Sequence, residues 1–433
     1  MTTPDDAAPA PFGGRWRRPS QAPDGPGAAT GVRPLHTLLA GQAVSALGDW
    51  MGTVSLMALV LHITGSATAV GGVLVLRLAP TVFAGPVAAR LVTRWSRRRI
   101  MLAMDAVRIP AAAVLPWVTD LWWIYLWAFV IELAGMVFLP ARDASIPDLV
   151  EDDDDLAVAN GLVLGSSYGM IPVGAGLYAA VAALVGPEGG LAVARVVFAL
   201  DAITFAVSFL AIARLPELGT SSSAVPGSEQ GRFLDALALP LVRRLAPAAA
   251  AVAFGLGALF SLGVVWVREV LGATDTQFGL LVACFGVGAA GGLLVLRWLP
   301  WRDLATVRVA LIVQGGVVAA MSLTPEIGLA LLGAVGFGAL SALVLALAMG
   351  LLQNELGDAQ RVMAFAVFHV VIRAGLALAA IGAGVADDLL DEVTWPLVGH
   401  LASTQVVLLS SGVLVAVVAV LVGRPLQGVD AAR

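Results

Sequence analysis

Asp49, Arg77, Arg108, Glu132, Asp201 and Arg373 each fall near the middle of a long apolar run, and Asp105 lies one helical turn before Arg108. A charged side chain at the centre of a bilayer costs about 2.5–3.5 kcal/mol, so it persists only when it is paired, wetted or useful. The chemistry open to this set is proton binding and release by a carboxylate whose charge responds to a neighbouring arginine and to water access. Gln42, Ser45, Asp49 and Thr53 recur at helical spacing and form one polar stripe, the pattern of a face that lines a cavity. Asp49 or Glu132 is therefore expected to carry the proton, with Arg77 or Arg108 as counter-charge. A purely structural ion pair at Asp49 is the alternative. Asp105 and Arg108, three residues apart, can pair on one helix. Arg373, four residues after His369, is placed either to attract an anionic group or to balance an acid on another helix. Asp201 has no partner within reach on its own helix and ranks below Asp49 and Glu132.

The elements that hold these residues follow from composition. Of 433 residues, 59% are hydrophobic and 13% charged, and the mean hydropathy is +0.91, which is not the balance of a soluble globule. At about 20 apolar residues per crossing the chain accommodates a dozen membrane helices. Apolar segments separated by Pro/Gly or polar breaks place them at 36–62, 66–92, 99–118, 121–141, 157–185, 191–213, 245–268, 276–297, 304–323, 327–352, 361–386 and 396–422. The expected architecture is an all-α membrane protein of twelve transmembrane helices in two six-helix bundles. The bundles span 34–214 and 245–423, joined by a cytoplasmic linker at 215–244 that is rich in Gly, Ser and Pro. Residues 1–33 read as a disordered cytoplasmic tail and 424–433 as a short cytoplasmic one. The Arg17-Arg18 pair does not make an export signal, because the apolar run that follows carries Asp49 and lacks a small-residue cleavage site.

All 25 basic residues are arginine. With both termini inside, twenty of them lie on the cytoplasmic side, in the tails, the linker and the span ends, among them Arg90, Arg94, Arg97, Arg98, Arg99, Arg142, Arg214, Arg243, Arg244, Arg297, Arg302 and Arg308. Only Arg195 and Arg268 fall near the opposite ends, so the expected location is the cytoplasmic (inner) membrane, multi-pass, with both termini cytoplasmic. The net charge of -5 offers nothing to nucleic acid. The single cysteine, Cys284, excludes an intrachain disulfide or a cysteine-based metal cluster. The acidic run Glu151 to Asp155 lacks a coordination-loop pattern, and no metal or other cofactor is expected. No lysine exists to complete a phosphate-binding Gly-x-x-x-x-Gly-Lys loop. The four histidines, His36, His62, His369 and His400, are too scattered to form an intramembrane catalytic centre, so the chain is not read as an enzyme.

Shifting the chain by 207 residues sets Gly65 on Gly272, Gly72 on Gly279, Leu74 on Leu281, Val75 on Val282, Gly85 on Gly292 and Arg90 on Arg297. The halves thus look like a parallel repeat, with a solute site where they meet. The stretch Gly41-Gln42-Ala43-Val44-Ser45-Ala46-Leu47-Gly48-Asp49-Trp50, then Thr64-Gly65-Ser66, then Arg94-Trp95-Ser96-Arg97-Arg98-Arg99 with Asp105 and Arg108, resembles the major facilitator superfamily. More narrowly it is similar to the twelve-span drug:proton antiporter branch of macrolide-efflux-like and siderophore-exporter-like proteins. Pro140-Ala141-Arg142, Pro147-Asp148-Leu149-Val150, Ala159-Asn160 and Arg361-Val362-Met363-Ala364 extend the likeness. It departs at Ala89 and Thr93, where the family's loop motif has Gly and Asp, and in span 5, where the Gly-Pro motif survives as Ile171-Pro172-Val173-Gly174.

The resemblance implies a monomeric secondary active transporter in the lipid bilayer, exchanging protons for a small amphiphilic compound by alternating access. Asp105, Arg94, Arg97 and Arg98 would transmit gating. Asp49, Glu132, Arg77, Arg108, Arg373, Gln42 and Ser45 would form the proton and substrate cavity. An importer or uniporter on the same fold, and a membrane sensor that moves no solute, are the competing expectations.

Overall fold

The computed structural model describes residues 34–80, 91, 94–149, 162–163, 165–186, 189–219, 239–296, 298–299, 303–356, 358–390, 393–395 and 399–421. The expected tails at 1–33 and 424–433, Arg90, the acidic run 151–155, most of the expected linker, Arg297 and Arg302 lie outside the described residues, as do Gly85, Ala89 and Thr93.

Twelve helices account for nearly all of the described chain. They are α1 (Pro34–Thr64), α2 (Ala67–Leu78), α3 (Arg97–Val114, continued by a 3-10 turn to Trp117), α4 (Leu121–Asp143), α5 (Ile171–Val185), α6 (Gly190–Ala213), α7 (Pro240–Val265, continued by a π-turn to Val270), α8 (Asp275–Val295), α9 (Leu304–Leu323), α10 (Ile327–Glu355), α11 (Asp358–Leu389) and α12 (Ser403–Leu421). Among the described residues eleven are long and apolar enough to cross a bilayer, and α2 is a shorter apolar helix. The all-helical, twelve-span expectation therefore holds. Its boundaries differ in three places.

The seventh helix begins at Pro240 rather than 245, because a proline at the first helical position presets φ and loses no hydrogen bond. The fifth is interrupted at Gly169 and Met170 before it resumes at Ile171, where Pro172 has no N–H to continue the ladder. The twelfth begins at Ser403, not 396. Val393–Trp395 and Gly399–Leu401 instead pair as an antiparallel hairpin, β1 and β2, with Thr394 opposite His400. A run rich in β-branched and aromatic residues next to a proline favours that ending over another helical turn.

The packing repeats with a step of six helices. α1 packs on α6 and α7 on α12; α3 on α6 and α9 on α12; α3 on α4 and α9 on α10; α1 on α5 and α7 on α11. Across the seam α2 meets α11, and its counterpart α8 meets α5. Gly65 and Gly272, the pair set together by the 207-residue shift, have φ of 61° and 59°. Both follow the first helix of their half, and a Cβ at either would meet open space. The left-handed turn, not crowding, therefore demands glycine at both.

Small residues close the seam. A side chain at Gly71 would strike the Ala380 backbone, one at Gly384 the backbone of Ala67 and Thr68, and one at Gly286 the ring of Pro172. At one end of the seam the Asp388 carboxylate of α11 accepts bonds from Ser66 Oγ (2.8 Å) and from the backbone N–H groups of Ala67 (3.1 Å) and Thr68 (3.1 Å). The N-terminus of α2 is thus capped from the other half. The corresponding helix α8 is capped by its own Thr274 and Gln277.

Candidate functional site

A cavity of about 350 Å³ opens among the first four helices and the segment before α5, with Gln42, Ser45, Asp49 and Trp50 of α1 on one wall. Arg77 of α2, Arg108 of α3, and Glu132, Arg142 and Asp143 of α4 face them, and Ser167 and Tyr168 flank the mouth. The polar stripe of α1 does turn inward, since Gln42, Ser45 and Thr53 are all buried. A narrower void of about 30 Å³ leads on from Asp49, Arg77 and Glu132 to Thr53, Phe198 and Asp201.

Two ion pairs stand on this wall. Arg108 Nη2 grips both oxygens of Asp49 at 2.7 Å, and its second amino group reaches Asp105 at 3.4 Å. Arg77 Nε meets Glu132 Oε1 at 2.7 Å. Each arginine also lies over an aromatic ring, Arg108 at 3.9 Å from the centroid of Phe205 and Arg77 at 6.0 Å from that of Trp50. Residue types alone left open which arginine serves which acid. The helix crossings decide it, since α1 with α3 and α2 with α4 bring together groups that lie far apart in sequence.

From Asp105 the bonding continues behind the wall. Ser208 of α6 donates to Asp105 at 2.7 Å and accepts from Gln42 Nε2 at 3.5 Å. Arg142 Nη1 donates to Gln42 Oε1 and Ser167 Oγ, both at 3.3 Å. Arg142 Nε also binds Asp143 at 2.9 Å. The helix break at Gly169 leaves the Ser167 carbonyl free to accept from Trp50 Nε1 at 3.3 Å. An irregular backbone segment at membrane depth is tolerated where it lines such a cavity.

Arg142, Ser167, Ser208, Trp50 and Tyr168 are therefore site residues that the sequence reading did not select. Arg142 counted there as topology-setting charge, yet it is 7% exposed and lines the cavity. Its spacing gave a usable signal: Glu132, Gly135, Met136, Leu139, Arg142 and Asp143 follow one face of α4.

The remaining selected residues lie elsewhere. Arg373 is exposed on α11 and is not part of the cavity wall. Arg94 is exposed in the turn before α3. Arg97 donates to the Ala144 carbonyl and to Asp148, both at 2.6 Å. Arg98 donates to the carbonyls of Ile212 (3.2 Å) and Ala213 (2.6 Å) and to Glu217 (3.0 Å). These contacts tie α3 to the ends of α4 and α6 and satisfy the last carbonyls of α6. At the opposite end of the bundle Trp122 and Trp123 are 5.7 Å apart edge to face, and Trp123 and Trp127 5.6 Å apart.

Among the described residues the cavity is lined by the first half alone, whereas the sequence placed a solute site where the two halves meet. Residues 38–380 match the model of the Major Facilitator Superfamily. The chain belongs to that superfamily. It is a multi-pass membrane transporter, and the family is one of transporters, not of enzymes. The uncharacterized MFS-type transporter YfiS of Bacillus subtilis (strain 168) is 29% identical over 119 residues, a match covering 27% of this chain and 28% of that protein.

The nucleoside transporter NupG superposes with a TM-score of 0.71 at 13% identity, covering 90% of this chain and 98% of that one. A bacterial homologue of the human lysosomal transporter Spinster, inward-facing and unoccupied, gives 0.71 at 16% identity over 90% and 96%. A bacterial homologue of the iron transporter ferroportin, inward-facing, gives 0.68 at 14% identity over 91% and 100%. At these identities the likeness is one of fold.

Proposed function

We propose that this member of the superfamily is a proton-coupled exporter of a small amphiphilic compound, working by alternating access as a monomer in the cytoplasmic membrane. The observation that carries the reading is the pair of salt bridges, Arg108 to Asp49 and Arg77 to Glu132, standing on the wall of a cavity inside apolar helices. A substrate or a proton that takes one partner leaves the other unpaired on a partly desolvated wall, a cost that biases a two-state equilibrium. Trp50, Ile131, Met136, Phe138, Leu139 and Tyr168 supply the apolar part of the wall, so the site suits a molecule with both an apolar body and a polar group.

The cavity reaches the end of the bundle that carries Arg97, Arg98 and Arg142, the end expected to be cytoplasmic from the distribution of arginine. The Asp388 contact and the close glycine crossings hold the other end shut. In this reading the molecule faces inward, with both termini in the cytoplasm. The two six-helix bundles rock about the seam, the cytoplasmic cluster of Arg94, Arg97 and Arg98 senses the change, and the interior Asp105, bonded to Arg108 and Ser208, links it to the cavity.

The test uses purified protein in liposomes with ethidium and the macrolide erythromycin as probes. An imposed pH gradient is expected to drive at least one of them against its own gradient, and Asp49→Asn and Glu132→Gln are expected to abolish that coupling. Wild-type coupling in both variants removes the proton assignment. Import in place of export, or flux that ignores the pH gradient, replaces the exporter by an importer or a uniporter, and no flux at all favours a sensor.

A further inference from the structure

Four carboxylates occupy the interior of the first half, Asp49, Asp105, Glu132 and Asp201, against two guanidinium groups, Arg77 and Arg108, while the buried Arg142 is paired with Asp143. Fully ionised, the set would hold more negative charge than its arginines neutralise, in surroundings where an unpaired charge is expensive. Three of the acids have strong donors. Asp49 has the two-fold grip of Arg108, Glu132 has Arg77, and Asp105 has the Ser208 hydroxyl at 2.7 Å as well as Arg108.

Asp201 differs from all of them. It is 2% exposed, and the side-chain donor bonded to it is the hydroxyl of Thr204, at 3.3 Å and shared with the Asp201 backbone carbonyl at 2.7 Å. An ionised carboxylate offers about four acceptor positions, and a single shared hydroxyl leaves most of them unfilled. The charged groups that face it are Asp49 from α1, Arg77 from α2, Arg108 from α3 and Glu132 from α4, with both arginines engaged by other acids. Its carboxylate is seated against Gly48 and Gly52 of α1, where an added side-chain carbon would collide with Asp201 or Thr204 at Gly48 and press on Asp201 at Gly52. The void of about 30 Å³ between Asp201 and the pair Asp49 and Glu132 has room for one or two waters.

We infer that Asp201 is the residue on which the coupling proton rests in this conformation, and that Asp49 and Glu132 pass it to and from the cavity. The inference rests on the proton-coupled reading above. In the loading step a hydronium ion of the cavity gives a proton to Asp49 or Glu132, which hands it through the void to Asp201; one O–H bond breaks on the hydronium ion, one forms on the Asp201 carboxyl group, and the relaying acid is left ionised again for its arginine. Release is the reverse, and no other reactant is needed. Because the acid sits on α6 against the glycines of α1, any sliding of α1 on α6 changes its surroundings and therefore its hold on the proton.

Infrared spectroscopy of the purified protein in lipid nanodiscs at neutral pH tests this without any substrate. The expected result is a protonated-carboxyl C=O band in the wild type that is lost in Asp201→Asn and retained in Glu132→Gln. A band that survives Asp201→Asn overturns the assignment. If that variant does not fold, Thr204→Val keeps the acid and removes its hydroxyl donor. A shift of the band supports the assignment, and an unmoved band overturns it. Failure of a pH gradient to drive probe flux in the wild type would count against the proposed coupling, whereas the band reports on Asp201 alone.

Discussion

The two halves of the molecule share a frame and differ in chemistry. Under the 207-residue shift, Asp49, Arg77, Arg108, Glu132 and Asp201 fall on Leu256, Cys284, Gly315, Ala339 and Leu408. The interior of the second half offers a polar contact of another order, Gln314 Nε2 to Ser341 Oγ at 2.8 Å. Yet helices α7 to α12 pack in the same pairs as α1 to α6, and the turns after the first helix of each half use the same left-handed glycine. Six helices thus reach this arrangement without charged residues at those five positions. A bundle of this shape forms without such charges, which supports the proposal that those of the first half serve transport.

The largest expected effect comes from removing the guanidinium that two acids share. Arg108→Met leaves Asp49 and Asp105 without their cation and is expected to cost about 3–5 kcal/mol. Adding Asp49→Asn and Asp105→Asn to it should recover most of that loss. In the second half Gln314→Leu should cost only about 1 kcal/mol, since it removes the bond from Gln314 Nε2 while the Ser341 hydroxyl keeps its bond to the Phe337 carbonyl. Thermal unfolding in detergent measures all three. Equal losses for Arg108→Met and Gln314→Leu would erase the contrast.

Much of this contrast can be read in the sequence, and the part that cannot has an identifiable cause. Hydropathy and glycine spacing mark the helices and the repeat, because both are local properties of the chain. Asp49, Arg77, Arg108 and Glu132 stand out for the same reason, being charges inside apolar runs. Their pairing is not local: Asp49 and Arg108 meet because α1 crosses α3, and no spacing rule reports that. Asp105 looks like the natural partner of Arg108 at three residues' distance, yet at 3.4 Å it is the looser of the two contacts. Arg142 follows Pro140 at the end of a span and so reads as a topology marker, while the geometry of α4 turns it inward. Asp201 ranks low in the sequence for want of a partner on its own helix; the structure supplies one in the Thr204 hydroxyl, and what sets the acid apart is that, among the described residues, no arginine is bonded to it.

The next largest effect is on transport. Asp49→Asn and Glu132→Gln are each expected to abolish pH-driven flux. Gln314→Leu, at a matched amount of folded protein, should stay within about twofold of wild type. A deep loss in Gln314→Leu would mean that the second half carries chemistry of its own. Flux measured side by side in the liposome assay decides this.

A smaller effect is expected where one half caps the other. Asp388→Ala removes three acceptor contacts from the first turn of α2, worth about 1–2 kcal/mol for a capping group at a helix N-terminus. Because the contact bridges the seam, the cost should appear as a shift between conformations. Spin labels introduced by Trp122→Cys and Leu329→Cys, with Cys284→Ser, report the separation of the halves at that end. Asp388→Ala is expected to raise the population of the longer distance about five- to thirtyfold. Thr274→Ala, which removes the local cap of α8, should leave that distribution unchanged. An unchanged distribution in Asp388→Ala would make its cap a local feature like the other.

The finest test asks whether the shared frame is shared in energy as well as in shape. Gly65→Ala and Gly272→Ala each place a Cβ on a residue at φ near 60°, in open space, so the strain of the left-handed turn is the whole cost, about 1 kcal/mol at each. Equal losses of stability are expected, together with additivity in the double variant, because the two turns lie in different halves and share no contact partner. A clearly larger loss at Gly65 would show that the turn feeding α2 carries strain that its counterpart before α8 does not. The asymmetry between the halves would then extend from the cavity into the backbone, and the Asp388 cap, which begins one residue after Gly65, would be the nearest feature of the first half able to account for it.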